Sequence, residues 1–324
     1  QLNVDTNQLS NFLQQKGLKA QQRVGVLIEP SILFVKTIFA LLKCNAVFVP
    51  IDAAYPKKRI EYLLQKSKAT LLLTTTKHIN KTEGLSVELI NLIQEKKEIA
   101  CSKKDFAHQL AKPSDLVYLL FTSGSTGQPK GVQISNQNLA NYLGWAKQLY
   151  LLPGQTQISA AFFTSVGFDL TYTSLFLPLI TGGAVHPHSN FETDPIGTLK
   201  AIFSTTEINF VKLTPAHAQL VNEIGLPIGS AKTIILGGEQ LTTAIANQLR
   251  KKLGEGSELF NEYGPTEATI GCIIYQITGD ENSASIPIGK VCDGMSAMVL
   301  NGNQNEVPAG VIGELYLAGA QVAF

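Results

Sequence analysis

Residues Phe121 to Gly131 read Phe-Thr-Ser-Gly-Ser-Thr-Gly-Gln-Pro-Lys-Gly. Thr122, Ser123, Ser125 and Thr126 supply hydroxyls, and Lys130 supplies a charge. Gly124 and Gly127 let backbone N–H groups approach an anion closely. These types in this spacing suit the phosphates of a nucleotide. By composition alone, a Ser/Gly-rich surface loop would be the favoured reading. The setting decides against it. The loop follows the apolar run Leu116–Leu120 and precedes a helix with Ser135 as its N-cap. Neither Gly-x-x-x-x-Gly-Lys-Ser/Thr nor Gly-x-Gly-x-x-Gly is present, so the phosphates are held in another way than in P-loop or dinucleotide-binding proteins.

Other residues invite chemistry less specifically. Lys212 interrupts the apolar run Asn209–Leu213. A buried lysine needs a partner, and an edge-strand lysine reaching solvent is the open alternative. Asp169 opens a helix, where a capping carboxylate is common. Glu267 follows Gly264-Pro265-Thr266 in a turn. Gly237-Gly238-Glu239-Gln240 makes a tight strand-to-helix turn. His186 and His188 are too few for a metal site, and His217 reads as structural. No Ser-His-Asp or Cys-His constellation is supported.

The elements that must position these residues alternate. Strands are expected at 24–28, 46–49, 70–74, 116–120, 157–161, 184–185, 210–213, 233–236 and 258–261. Helices are expected at 1–16, 31–44, 56–66, 135–143, 169–180, 194–203, 215–222 and 242–253. Residues 77–113 form a polar surface excursion with room for one helix. Such alternation predicts an α/β fold with parallel sheets covered on both faces. Two parallel-sheet lobes are expected to pack together, over 1–155 and 156–284, with residues 1–25 free to join the second. From Ser285 the texture changes to short strands and Gly, Pro and Asn turns, the start of a β-rich lobe over 285–324.

The 324 residues exceed one ordinary core. A hydrophobic share of 44 % and a charged share of 16 % are those of a globular protein. Net charge is +1 without a basic block, which argues against a nucleic-acid partner. Cys44, Cys101, Cys272 and Cys292 show no CxxC spacing and read as free thiols of a reducing, cytoplasmic compartment. No signal peptide is expected. The apolar run from Ser31 to Ile51 is broken by Lys36, Lys43 and Asn45, so a core helix and strand explain it better than a membrane span.

Four stretches in fixed order resemble the adenylate-forming superfamily, and within it the adenylation domains of nonribosomal peptide synthetases. They are Leu41–Asp52, the loop at 121–131, Phe168–Phe176 and Asn261-Glu-Tyr-Gly-Pro-Thr-Glu267. A fifth, Gly313–Gly319, is similar but cut short. Two small departures are Asn45, where the family usually has Gly, and Ser125, where Thr is also common. The resemblance implies that this chain is the central part of a truncated large N-terminal domain. The hinge, the small C-terminal domain with its catalytic Lys, and the Asp that serves the ribose hydroxyls would lie outside it.

The resemblance also implies roles. Substrates would be ATP and an amino acid, with Mg²⁺ on Glu267 and products aminoacyl-AMP and pyrophosphate. The aminoacyl group would then pass to the phosphopantetheine of a peptidyl carrier domain, with a condensation domain in the same synthetase. Thr122, Lys130, Thr266 and Glu267 would serve the phosphates. The loop 122–127, Lys130, Gly238, Glu239, Gln240, Asn261, Tyr263, Gly264 and Thr266 would hold the nucleotide. Asp169 would pair with the substrate ammonium. With Phe168 beside it, the amino-acid pocket would be Asp169, Leu170, Thr173, Lys212, Ile235, Gly237, Glu262, Ile270 and Gly271. This set resembles those of asparagine-activating domains, and aspartate-activating ones slightly less. An acyl-CoA ligase and a binding-only fragment are the alternatives, and Asp169 and Lys212 speak against the first.

Overall fold

The computed structural model describes residues 1–122 and 129–323. Loop assignments Ser123, Gly124, Ser125, Thr126 and Gly127 therefore lie outside the described residues. Two compact units emerge. The first comprises residues 1–136, 163–169 and 187–189; the second comprises 137–162, 170–186 and 190–324.

The first unit is built on β1 (Arg23–Leu27), β2 (Val47–Pro50), β3 (Leu71–Thr74), β4 (Glu88–Asn91), β5 (Leu116–Thr122) and β6 (Lys130–Ser135). Among the described residues their order is β4-β3-β1-β2-β5-β6. β1, β2, β3, β4 and β5 run parallel, and β6 returns antiparallel to β5. β6 corrects the expectation of a loop leading straight into a helix. After the exposed Lys130 and Gly131, Val132 and Ile134 are buried on either side of a half-buried Gln133, an alternation of period two, and β6 lies at the edge of the sheet. Helices α1 (Leu2–Gln15), α2 (Ile32–Lys43), α3 (Lys57–Ser67) and α4 (Lys96–Cys101) connect or flank these strands. Ser31 caps α2 by accepting from the Phe34 amide at 3.1 Å. The core packs Leu27, Ile51, Leu63, Leu64 and Leu72 together.

The second unit carries α5 (Asn136–Tyr150), β7 (Ala160–Phe162), α6 (Leu170–Ile180), β8 (Val185–Pro187), α7 (Pro195–Ser204), β9 (Phe210–Leu213), α8 (Pro215–Glu223), β10 (Thr233–Gly237), α9 (Thr243–Arg250) and β11 (Glu258–Tyr263). It adds β12 (Ile273–Gln276), β13 (Lys290–Val291), β14 (Met295–Leu300) and β15 (Glu314–Gly319). The sheet order is β13-β12-β11-β10-β9-β7-β8 among the described residues. β7, β9, β10 and β11 are parallel, whereas β12 and β13 close one side antiparallel. β14 and β15 form a separate antiparallel pair. β9 lies between β10 and β7, so the edge-strand reading of Lys212 is corrected. Among the described residues no helix is long and apolar enough to cross a membrane.

Candidate active site

The centre of the second unit is a buried ion pair. Lys212 on β9 is 2 % exposed and Glu262 on β11 is 4 % exposed. β10 lies between them, with Ile235 opposite Lys212 and Gly237 opposite Glu262. Lys212 Nζ donates to Glu262 Oε1 and, at 2.8 Å, to Thr173 Oγ1 on α6. Tyr150 donates to Glu262 Oε2 at 2.5 Å, and Tyr142 lies 3.3 Å from the same oxygen. Tyr142 and Thr173 share a 2.5 Å hydrogen bond. Desolvation, and then the negative charge of Glu262, push both phenols well above their usual range. They are therefore neutral donors at neutral pH.

Two glycines make room for Glu262. A Cβ on Gly271 would run into its carboxylate, and one on Gly237 would stand 2.7 Å from its carbonyl oxygen. Leu170 reaches within 3.7 Å of where a Cβ on Gly238 would lie. Ile270 is buried at φ +70°. Thr173, Lys212, Ile235, Gly237, Glu262 and Gly271 are thus brought together. Sequence reasoning missed Tyr142 and Tyr150. Their signal was the stripe Tyr142, Ala146, Tyr150 at helical spacing on α5, which reads as ordinary core.

A cavity of about 400 Å³ opens beside the pair. It is lined by Gly238, Glu239, Gln240, Asn261, Glu262, Tyr263 and Gly264, among others. Its size falls within the range of small-molecule sites. Asn261 is fixed by donating to the Pro287 carbonyl at 2.9 Å. Thr266 and Glu267 occupy one short turn of 3₁₀ helix. The Glu267 side chain is exposed and its carboxylate has no partner among the described residues. No group of three His, Cys, Asp or Glu side chains converges for a metal among those residues. A single hard carboxylate of this kind suits Mg²⁺, which keeps waters and shares phosphate oxygens instead of filling an all-protein cage.

In the first unit, Thr122 and Lys130 face each other across the β5–β6 ladder and flank the loop. Phe168 is 65 % exposed. The segment before Asp169 is tied down: Ser165 donates to the carboxylate of Asp52, whose other oxygen accepts the Ala54 amide at 2.8 Å. Asp169 sits close enough to Tyr118 that its charge adds to burial in raising that phenol. His217 in the second unit has a structural task. Its Nδ1 accepts from the Thr214 amide at 3.2 Å and its own amide donates to Thr214, a reciprocal cap of α8. Burial pulls its pKa down to about 4. All four cysteines are free thiols, and Cys44, Cys272 and Cys292 are buried.

The family described as AMP-binding enzyme matches residues 1–323. Tyrocidine synthase 3 of Brevibacillus parabrevis is 37 % identical over 320 residues, 98 % of this chain. The chain spans only 5 % of that protein's length. A four-domain nonribosomal peptide synthetase, AB3403, solved with AMP and glycine, is 26 % identical with a TM-score of 0.83, over 99 % of this chain and 23 % of its own. The N-terminal subdomain of Klebsiella oxytoca NpsA in complex with 3-hydroxybenzoyl-AMSN has a TM-score of 0.85 over 99 % of this chain and 79 % of its own; at 22 % identity it speaks for the fold alone.

Proposed function

The chain belongs to the AMP-binding enzyme family, and on that premise we propose that it activates L-asparagine as aminoacyl-AMP within a nonribosomal peptide synthetase. An oxygen of the amino-acid carboxylate attacks the α-phosphorus of ATP, and the bond to pyrophosphate breaks. No protein nucleophile is needed. The protein's work is positioning and charge neutralisation. Thr122, Lys130 and Thr266 serve the phosphates, and the cavity at 238–240 and 261–264 takes the nucleoside. Mg²⁺ bound on Glu267 would neutralise phosphate charge. Asp169 receives the α-ammonium, since a desolvated ammonium requires a carboxylate. The thiol of a phosphopantetheine on a carrier domain then attacks the aminoacyl carbonyl and AMP leaves, with a condensation domain in the same synthetase. The free thiols agree with a cytoplasmic setting.

The observation that carries the substrate assignment is the hydrogen-bond balance at the ion pair. Glu262 Oε2 is occupied by two phenols, while Oε1 receives Lys212 alone. Lys212 gives two protons to Glu262 and Thr173, and its third meets only the Tyr142 oxygen at 3.4 Å. The third Lys212 proton is held only by this long bond, Oε1 keeps a lone pair open, and the pair is neutral. A carboxamide presents the complement, an acceptor and a donor. Aspartate would bring a second carboxylate near Glu262, a repulsion of about 4 kcal/mol at 4 Å for an effective dielectric of 20. Glutamine is one methylene too long, a misfit of roughly 1–3 kcal/mol. Amino-acid-dependent pyrophosphate exchange by the full-length protein should rank asparagine first and aspartate second. Glu262→His should shift preference toward aspartate by exchanging an acceptor for a donor. A wild-type preference for aspartate, or for an apolar residue, would sink the assignment.

A further inference from the structure

The turn that carries Glu267 is held by one side chain from a distant stretch. Thr269 and Ile270 sit at φ +56° and +70°. β-branched residues rarely adopt that region, and it persists only where surroundings over-determine it. Gln321, fully buried, supplies those surroundings. Its Nε2 donates to the carbonyl oxygens of Gly271, Ala268 and Thr269 at 2.7, 3.1 and 3.3 Å. Its Oε1 accepts Trp145 Nε1 at 2.7 Å and Asn141 Nδ2 at 2.9 Å. Both protons and both lone pairs are thus spent. The backbone adds to this: Thr269 Oγ1 donates to the Gln321 carbonyl at 2.6 Å, and the Ala323 amide to the Glu267 carbonyl at 2.8 Å.

The segment that delivers Gln321 is itself fixed. Asn138 Nδ2 reaches the carbonyls of Ala320 and Val322 at 2.8 and 3.1 Å. The Ala320 amide donates to the Gly294 carbonyl at 2.9 Å. Gly319 has φ +131°, and a Cβ there would stand 2.8 Å from Met295 Cα, so the chain turns into this place on a glycine.

We propose that Gln321 is a positioning residue whose carboxamide sets the Thr266–Gly271 turn, and thereby places Glu267 toward a divalent cation and Gly271 beside Glu262. The inference rests on the reading of Glu267 given above. A carboxamide alone among side chains can donate to three clustered carbonyls on one side and accept two N–H groups on the other. A glutamate keeps the acceptors but turns a carboxylate onto the carbonyls. A methionine leaves the carbonyls dry and unbonded.

The test uses the full-length protein with Gln321→Glu, Gln321→Met, Trp145→Phe and Glu267→Gln. Trp145→Phe removes a buried hydrogen bond from the opposite side of Gln321 and leaves its bonds to the turn. The first readout is amide hydrogen exchange over residues 266–272 without metal or nucleotide. The second is the Mg²⁺ concentration that half-saturates pyrophosphate exchange. Gln321→Glu and Gln321→Met should speed exchange in the turn at least tenfold and raise the Mg²⁺ requirement at least tenfold. Trp145→Phe should lower the melting temperature and move neither. A folded Gln321→Glu protein with wild-type exchange and Mg²⁺ requirement, beside a Glu267→Gln protein whose requirement rises, overturns the inference alone. A Glu267→Gln protein with an unshifted requirement overturns the Glu267 assignment, and the inference falls with it.

Discussion

Lys212 and Glu262 are the residues on which the second unit's interior turns. A buried pair adds little net stability, but removing one partner strands the other charge at a cost of about 3–5 kcal/mol. Lys212→Met should destabilise by that amount in urea unfolding. Lys212→Met combined with Glu262→Leu should lose less than the two single changes summed, because no charge is left stranded. A Lys212→Met protein within about 1 kcal/mol of wild type would contradict a buried, partnered pair. At this scale the sequence was half legible. A lysine inside an apolar strand announces that it needs a carboxylate, and Glu262 was within reach as a pocket residue. The phenols of Tyr142 and Tyr150 were not, because a tyrosine on a helix's apolar face looks the same whether its hydroxyl is used or not. Gln321 was hidden for a like reason: its partners are backbone carbonyls, a Trp and an Asn, which leave no pattern along the chain.

Elements were legible where their periodicity was strong. α2 begins one residue after the Ser31 cap, and α3 follows Pro56. β6 was hidden by the glycine-rich stretch before it, which draws attention away from a short alternating run. β12 and β4 are short and half-exposed, so their pattern is weak. One departure from the family pattern has an element-scale cause. Asn45, which links α2 to β2, sits at φ +51°. Asparagine tolerates that region better than other side chains, and glycine best. Its Nδ2 also donates to Asp115 at 2.8 Å. Asn45→Gly should leave the melting temperature nearly unchanged, trading that bond for relief of strain. Asn45→Ala loses both and should cost about 1–3 kcal/mol in chemical unfolding. Equal costs for the two would show that the left-handed backbone is not what asparagine serves.

Across the whole chain, the two units carry differently placed titrations, and the single tryptophan separates them. Trp145 is buried in the second unit, so its fluorescence follows that unit, whereas far-UV circular dichroism follows both. His217, also in the second unit, has a folded pKa of about 4 against an ordinary value of 6.5. Above 6.5 the ring is neutral in both states and pH has no effect through it. Between 6.5 and 4 the unfolded chain binds a proton that the folded chain refuses, so stability falls as pH falls, by an amount on the order of 3 kcal/mol once below 4. Glu29 belongs to the first unit. Burial works to raise its pKa, but hydrogen bonds from Lys77, from backbone and from His78 outweigh it and hold it at about 2, below the ordinary 4.5. Its contribution is present above 4.5 and is lost as pH falls toward 2. The urea midpoint read by tryptophan should therefore drop between pH 7 and pH 4.5, while the Glu29 contribution stays intact over that window. His217→Gln removes the titration and should flatten the fluorescence curve over the same window, at some cost in baseline stability from the altered cap. A fluorescence midpoint that is level from pH 7 to 4.5 in the wild type, or that keeps its slope in His217→Gln, would contradict a neutral, buried His217 at the start of α8.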